Sequence, residues 1–300
     1  MQQSDWAGVF PAITTPFKSD GSVDEAFLAK HVIWLLDAGC RGVVALGSLG
    51  EGATLTFDEK VRILEVCRTV TAGRVPLVAS ISGLATAECV ALAKAAARAG
   101  CDGLMVLPPY VYRGDWRETE THFSSVLDAT SLSCMLYNNP IAYGTDLSAE
   151  QIGELADKHR NVHAVKESSG DVRRLTAVRA LLGSRLALFA GLDDMILEAM
   201  AVGADGWVAG LVNALPSESV ALVDLAKAGR MDDAFRLYAW FLPLLRFDTV
   251  PAFVQLIKLV QAEVGMGSEA VRAPRLPLAA PERAAALKVI RRQLAQRVDA

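Results

Sequence analysis

Residues 75–110 read "VPLVASISGLATAECVALAKAAARAGCDGLMVLPPY". The stretch opens on a short apolar run, 75–82, passes through a segment with apolar residues at helical spacing that ends on Gly100, and closes on a second apolar run, 103–109. The glycine is suited to a left-handed helix C-terminus. Both apolar runs are nearly continuous rather than alternating, as expected of strands buried on two faces, and a helix between two such strands makes a parallel β-α-β unit. Moving outward, the same kind of run recurs at 8–14, 42–47, 134–139, 162–168, 186–191 and 206–210, for eight in all. Eight β-α repeats with "AG" or "GA" before the next strand predict an α/β fold of the (β/α)8 TIM-barrel kind, with a doubly wound open sheet as the alternative.

Beyond residue 215 the strand pattern stops. "SESVALVDLAKAG", "MDDAFRLYAWFLPLLRF", "PAFVQLIKLVQAEVG" and "APERAAALKVIRRQLAQ" read as successive helices. The predicted organisation is a barrel core over 1–215, followed by the last barrel helix and a C-terminal helical extension over 216–300. "GMGSEAVRAPRLPL", broken by glycine and proline, is the loop that returns the final helix to the body.

The chain has 300 residues, 52% of them apolar and 21% charged, which is enough to build a large core. A net charge of -4, with both signs interspersed, offers no basic face for nucleic acid or an anionic membrane, so a small molecule is the expected partner. The first residues lack a signal-peptide pattern and no apolar run reaches a membrane span, so a cytoplasmic protein is expected. Five single cysteines and four histidines without ligand spacing predict packing roles and no metal.

Within the sixth run, "VHAVKES", Lys166 interrupts an otherwise buried strand. Burial disfavours an ammonium, and a neutral lysine amine is a nucleophile toward carbonyl carbon, so the residue is a candidate for imine formation. The structural alternative is a lysine paired with Glu167 or an aspartate. Barrel enzymes place their chemistry at the C-terminal strand ends, which here carry "GSLGE" (47–51), Tyr110, Tyr137, Lys166, "AGLDD" (190–194) and "VAG" (208–210). Tyr137 is the candidate acid-base group, with Ser48 and Tyr110 relaying its proton toward solvent. Taken singly, the tyrosines read more readily as core or interface aromatics than as catalysts, and only their joint placement at strand ends raises them. The glycines of "GSLGEG" do not fit a phosphate loop, Glu51 reads as a loop anchor, and Asp193 and Asp194 read as caps of the next helix that anchor its loop.

The motifs "GVFPAITTPF", "GSLGEGATLTFDEK", "LMVLPPY", "MLYNNP", "VKESSGD" and "AGLDD", in this order over nearly the whole chain, resemble the pyruvate-dependent class I aldolases and lyases that include dihydrodipicolinate synthase and N-acetylneuraminate lyase. The resemblance implies a Schiff-base Lys166, a proton-transferring Tyr137 and a hydroxyl relay through Ser48 and Tyr110, the latter serving the neighbouring subunit's site in a dimer or tetramer. It further implies a substrate pocket lined by Gly47, Ser48, Leu49, Ala142, Gly191 and Val208, and no cofactor besides the covalent lysine imine.

Two positions depart from the pattern. Leu49 replaces a threonine of the carboxylate loop, whose substrate contacts then fall to the Ser48 and Leu49 amides, and Ala142 replaces the arginine that grips a second carboxylate in the synthases. "LGSLGEGATL", "YNNPIAYG", "GADGWVAGLVNALP", "FLPLLRFDT" and "VRAPRLPL" resemble the Δ1-pyrroline-4-hydroxy-2-carboxylate deaminases of hydroxyproline degradation. There Lys166 would open the ring imine, proton loss at C3 would expel the C4 hydroxyl, and hydrolysis would release ammonia and 2,5-dioxopentanoate. The deaminase is the leading expectation. A pyruvate-dependent class I aldolase is the alternative, and a non-catalytic 2-oxo acid binding barrel is the alternative of another class.

Overall fold

The computed structural model describes residues 1–297. Eight parallel strands form one sheet: β1 (Gly8–Pro11), β2 (Val43–Ala45), β3 (Leu77–Ile81), β4 (Gly103–Val106), β5 (Ser133–Asn138), β6 (Val162–Glu167), β7 (Ala187–Ala190) and β8 (Gly206–Ala209). Each strand pairs with its sequence neighbour, β8 pairs with β1, and a parallel bridge between Ala12 and Val44 joins β1 to β2. The sheet thus closes into a barrel ringed by helices, as the eight apolar runs predict.

The strands are shorter than the runs read from sequence, which extend to Thr14 and Gly47 where β1 and β2 end at Pro11 and Ala45. Ala12 and Ile13 still bond to Ala209 and Val44, and beyond them the extra residues leave the ladder at the C-terminal ends and shape the mouth, with Leu46 turning the chain at φ 68. The helices Glu25–Asp37 and Thr86–Arg98 end two residues before Gly39 and Gly100, at φ 98 and 82, so the glycine signals lie at the helix C-termini as read.

Inside the barrel, Phe10 of β1 and Phe189 of β7 meet edge to face at 5.4 Å, with Trp6 closing on both. A Cβ at Gly42 would lie 2.1 Å from the Phe10 ring, so the plug needs that glycine. This filling blocks the N-terminal end and leaves the opposite end to carry polar groups.

After β8 the helix Pro216–Lys227 packs beside β1, and the helices Met231–Leu245, Phe253–Glu263 and Ala280–Ala295 follow. The last residues of the expected extension, 298–300, lie outside the described residues. The glycine- and proline-broken segment is a loop, but it does more than connect: Arg272 of this loop donates to both Glu59 carboxylate oxygens, at 2.7 and 2.8 Å.

Candidate active site

Register places the candidate pair side by side. Tyr137 near the end of β5 is the lateral partner of Lys166 in β6, and Lys166 Nζ lies 4.2 Å from the centre of the Tyr137 ring. Lys166 is 6% exposed, forms no ion pair and donates no hydrogen bond among the described residues. Glu167 is not its partner. Strand alternation turns that carboxylate to the other side of the sheet, where it accepts from Asn138 Nδ2 at 3.0 Å, Ser169 N at 2.6 Å and Arg174 Nε at 3.3 Å.

Room for the lysine comes from Gly191, just past β7, where a Cβ would stand 2.8 Å from Lys166 Cε and 1.9 Å from Ser168 Oγ. Ser168 Oγ is buried without a hydrogen-bond partner. It is an unread site residue, although the two serines after the lysine were its signal.

The hydroxyls of the expected relay have partners of their own. Tyr137 Oη accepts from Asn139 Nδ2 at 3.0 Å, while Ser48 Oγ is bonded to the hydroxyl of Tyr143, a residue absent from the sequence reading. Tyr143 ends the four-residue helix Pro140–Tyr143, started by Asn139, whose Oδ1 accepts from Ala142 N at 3.0 Å. Its ring stacks on Tyr110 at 5.3 Å and meets Tyr137 edge-on at 5.7 Å. Burial and the neighbouring Tyr137 and Tyr110 phenols hold the Tyr143 hydroxyl well above the ordinary tyrosine range. Burial also raises Tyr110, opposed by the Ser82 and Ser48 hydroxyls beside it. Tyr110 thus lies beside the Ser48 and Tyr143 hydroxyls of its own chain, and Val111, at φ 70, turns the loop there.

The substrate-lining candidates divide. Gly47, Ser48 and Leu49 form the turn after β2, fixed by Thr15 Oγ1 donating to Gly50 O at 2.6 Å. The Ser48 and Leu49 N–H groups find no acceptor among the described residues, whereas the Leu49 side chain is buried in the core. Ala142 is exposed on its short helix, and Arg113, from the loop after β4, packs over the adjacent Gly144. Val208 is buried in β8 opposite Phe10 of β1, within the strand rather than at the mouth.

Asp193 does anchor a loop, but not by capping its own helix. Fully buried, it accepts from Trp207 Nε1 at 3.0 Å, Gly210 N at 3.0 Å and Leu211 N at 2.6 Å, which fastens the segment after β8. Glu51 accepts from Lys258 Nζ at 2.6 Å and Arg272 N at 3.0 Å, an anchor as read. All five cysteines are buried and free, with Cys67 and Cys134 thiols pushed up to about 12 by burial. A buried amine, free amides across the mouth and a connected set of hydroxyls can bind a 2-oxo acid covalently and move protons at the adjacent carbon.

The sequence model of the dihydrodipicolinate synthetase family matches residues 5–293. The chain is 37% identical over 273 residues to the 4-hydroxy-tetrahydrodipicolinate synthase of Exiguobacterium sibiricum, covering 90% of this chain and 91% of that protein. Dihydrodipicolinate synthase from Bacillus anthracis superposes with a TM-score of 0.92 at 29% identity over 100% of both chains. The chloride-inhibited enzyme of the same name from Acinetobacter baumannii, complexed with pyruvate, gives 0.91 at 28% identity, covering 96% of this chain and 98% of that one.

Proposed function

The chain belongs to the dihydrodipicolinate synthetase family, whose enzymes are lyases that work through a covalent lysine imine without an external cofactor, and from that premise we propose that Lys166 is the imine-forming residue, acting on a 2-oxo acid or its cyclic imine. The observation that carries the reading is the Lys166 amine itself: buried, unpaired, beside Tyr137 and given its space by Gly191. The amine adds to the carbonyl carbon, water leaves, and the protonated imine draws electrons from the neighbouring carbon so that a proton departs. Tyr137 takes that proton, and Ser48, Tyr143 and Tyr110 complete the polar path to the mouth. The free Ser48 and Leu49 amides hold the substrate carboxylate. Self-assembly and a cytoplasmic setting belong to the same proposal; among the described residues no helix is long and apolar enough to cross a membrane.

Two fates of the imine are weighed. The synthase relatives, and the pyruvate bound by the Acinetobacter baumannii enzyme, support a pyruvate-dependent class I aldolase more directly than the deaminase. Arg113 over Gly144 is a cation available for a second carboxylate in that reaction. The deaminase reading draws on Ala142, since a substrate with one carboxylate needs no arginine there.

Borohydride reduction with pyruvate tests the shared step, the expected result being a stable mass increase on Lys166 that is absent in Lys166→Ala. No adduct would overturn the proposal. Ammonia release from the hydroxypyrroline acid, against pyruvate consumption with an aldehyde, then separates the two fates.

A further inference from the structure

The mouth holds a carboxyl group that imine chemistry leaves without a task. Asp248 lies in the 3-10 turn Arg246–Thr249, which brings the C-terminal segment back over the end of β8. Its carboxyl rests on the backbone of Gly210: a Cβ there would lie 2.1 Å from Asp248 Oδ1, 2.7 Å from Asp248 Cγ and 3.3 Å from Asp193 Oδ2. The two carboxyl groups share one corner, and a glycine at 210 is what leaves room for them.

Their surroundings differ. Asp193 is saturated by the Trp207, Gly210 and Leu211 donors, whereas no group among the described residues donates to Asp248, which is part-buried. Burial and the Asp193 charge push the Asp248 carboxyl well above the usual carboxylate range, Asp194 adds to that push, and the nearby Lys166 ammonium opposes it. Lys166 is thus a cation near enough to bear on the Asp248 charge. Across the mouth, position 142 supplies no guanidinium. A group that would hold an anionic substrate end is missing, and an unengaged acceptor of N–H donors is present.

We propose that Asp248 selects the far end of the substrate, favouring a 2-oxo acid that ends in an amine over one that ends in a second carboxylate. The inference rests on the imine reading and gives it a substrate class. When the Lys166 amine adds to C2 of a five-membered cyclic imine acid, the C2–N1 bond breaks and both hydrogens of the lysine amine end on the ring nitrogen. That nitrogen takes a further proton from solvent and becomes a tethered ammonium. With the lysine imine protonated from solvent as well, the substrate ammonium is a second positive charge at the mouth, and Asp248 receives it through a charge-assisted hydrogen bond.

The test uses three probes with the intact protein. They are pyruvate, which has no far end; Δ1-pyrroline-2-carboxylate, which opens to 5-amino-2-oxopentanoate and lacks a leaving hydroxyl; and 2-oxoglutarate, its diacid of equal chain length. Calorimetry gives the affinities and borohydride labelling confirms the imine. Wild type should bind the pyrroline acid about 10-fold or more tightly than 2-oxoglutarate, and Asp248→Asn should remove most of that preference while pyruvate affinity stays within about threefold. Gly210→Ala, whose methyl group displaces the carboxyl, should shift the preference in the same direction.

An unchanged preference in a folded Asp248→Asn protein, or a wild-type preference for 2-oxoglutarate that depends on Arg113, overturns the proposal. So does loss of pyruvate binding in Asp248→Asn, because Asp248 would then act on Lys166 rather than on the substrate. Failure of every probe to label wild type, pyruvate included, marks failure of the imine reading itself and takes this inference with it.

Discussion

Lys166 and Lys258 are both buried, 6% and 2% exposed, yet their surroundings are opposites. An ammonium has three hydrogens to donate, and Lys258 places all of them: on Thr15 O at 2.8 Å, Glu51 Oε1 at 2.6 Å and Ala270 O at 2.7 Å. Lys166 places none among the described residues and faces the Tyr137 ring instead. Burial alone therefore does not mark a reactive lysine; unmet bonding capacity beside open space does. The two regions also depend on each other. Lys258 grips Glu51 at the end of the 47–51 turn, so the satisfied site near the C-terminal helices holds Ser48 in position at the unsatisfied one.

Replacing each lysine by alanine should separate the two roles. Lys166→Ala should abolish borohydride labelling and lower turnover by roughly 10^4-fold, with the urea midpoint little changed, since no hydrogen bond is lost. Retained turnover would erase the distinction drawn here. Lys258→Ala should leave Lys166 able to label in the folded fraction while costing about 3–5 kcal/mol of stability, because Glu51 is left charged and buried with its nearest remaining cation, Arg275, at 3.7 Å. Lys258→Met combined with Glu51→Gln should cost less than Lys258→Ala alone. A combined loss as large would show that the ion pair is not what the clasp depends on.

The packing of the helix Glu25–Asp37 on the segment after β8 should be the acid-sensitive region. His31 donates from Nε2 to Asn213 O at 2.9 Å, and burial holds its pKa down to about 4 from an ordinary 6.5. The unfolded chain takes up the proton first as pH falls, so the stability from neutral His31 is fully present above 6.5 and lost on the way down to about 4. The loss amounts to roughly 3 kcal/mol over that window. Urea midpoints between pH 7 and 4.5 should fall less steeply for His31→Gln than for wild type, and parallel curves would refute the assignment.

How much of this was readable in advance depended on whether the signal was local. Continuous apolar runs exposed all eight strands, because parallel strands are buried on both faces, and Lys166 stood out because an ammonium breaks such a run. The strand ends were over-read for the same reason: Thr14 and Leu46 stay buried beyond the last ladder bonds. Lys258 was invisible because a lone lysine at helical spacing looks like a solvated position, and its partner Glu51 lies 207 residues away. Asp248 lies in the motif "FLPLLRFDT" but follows a helix in a turn without a strand-end position to suggest a site role; Gly210, which gives it room, belongs to a strand end far away in sequence. Tyr143 sits in a helix of four residues, too short to show a period, so the aromatic reads as part of a turn.

Tyr143 supplies the smallest effect and the finest test of the comparison. If the mouth works through unsatisfied groups, its direct hydroxyl pair, Ser48 with Tyr143, should matter for moving protons and little for holding ligand. Tyr143→Phe keeps the stack on Tyr110 and removes the hydroxyl. Exchange of pyruvate methyl hydrogens for deuterium, followed by NMR, isolates proton transfer at the carbon beside the imine without a second substrate. Tyr143→Phe should slow that exchange about 10- to 100-fold while borohydride labelling at saturating pyruvate is kept. Ser48→Ala should do the same, and the double variant should be no slower than the slower single, because one connection is cut in each case. The raised Tyr143 pKa keeps this hydroxyl protonated through neutral and mildly alkaline pH, so the wild-type rate should not fall there on its account. Unchanged exchange in both single variants would make the pair a packing contact, and the mouth would then hold a satisfied structural bond of the same kind as the clasp.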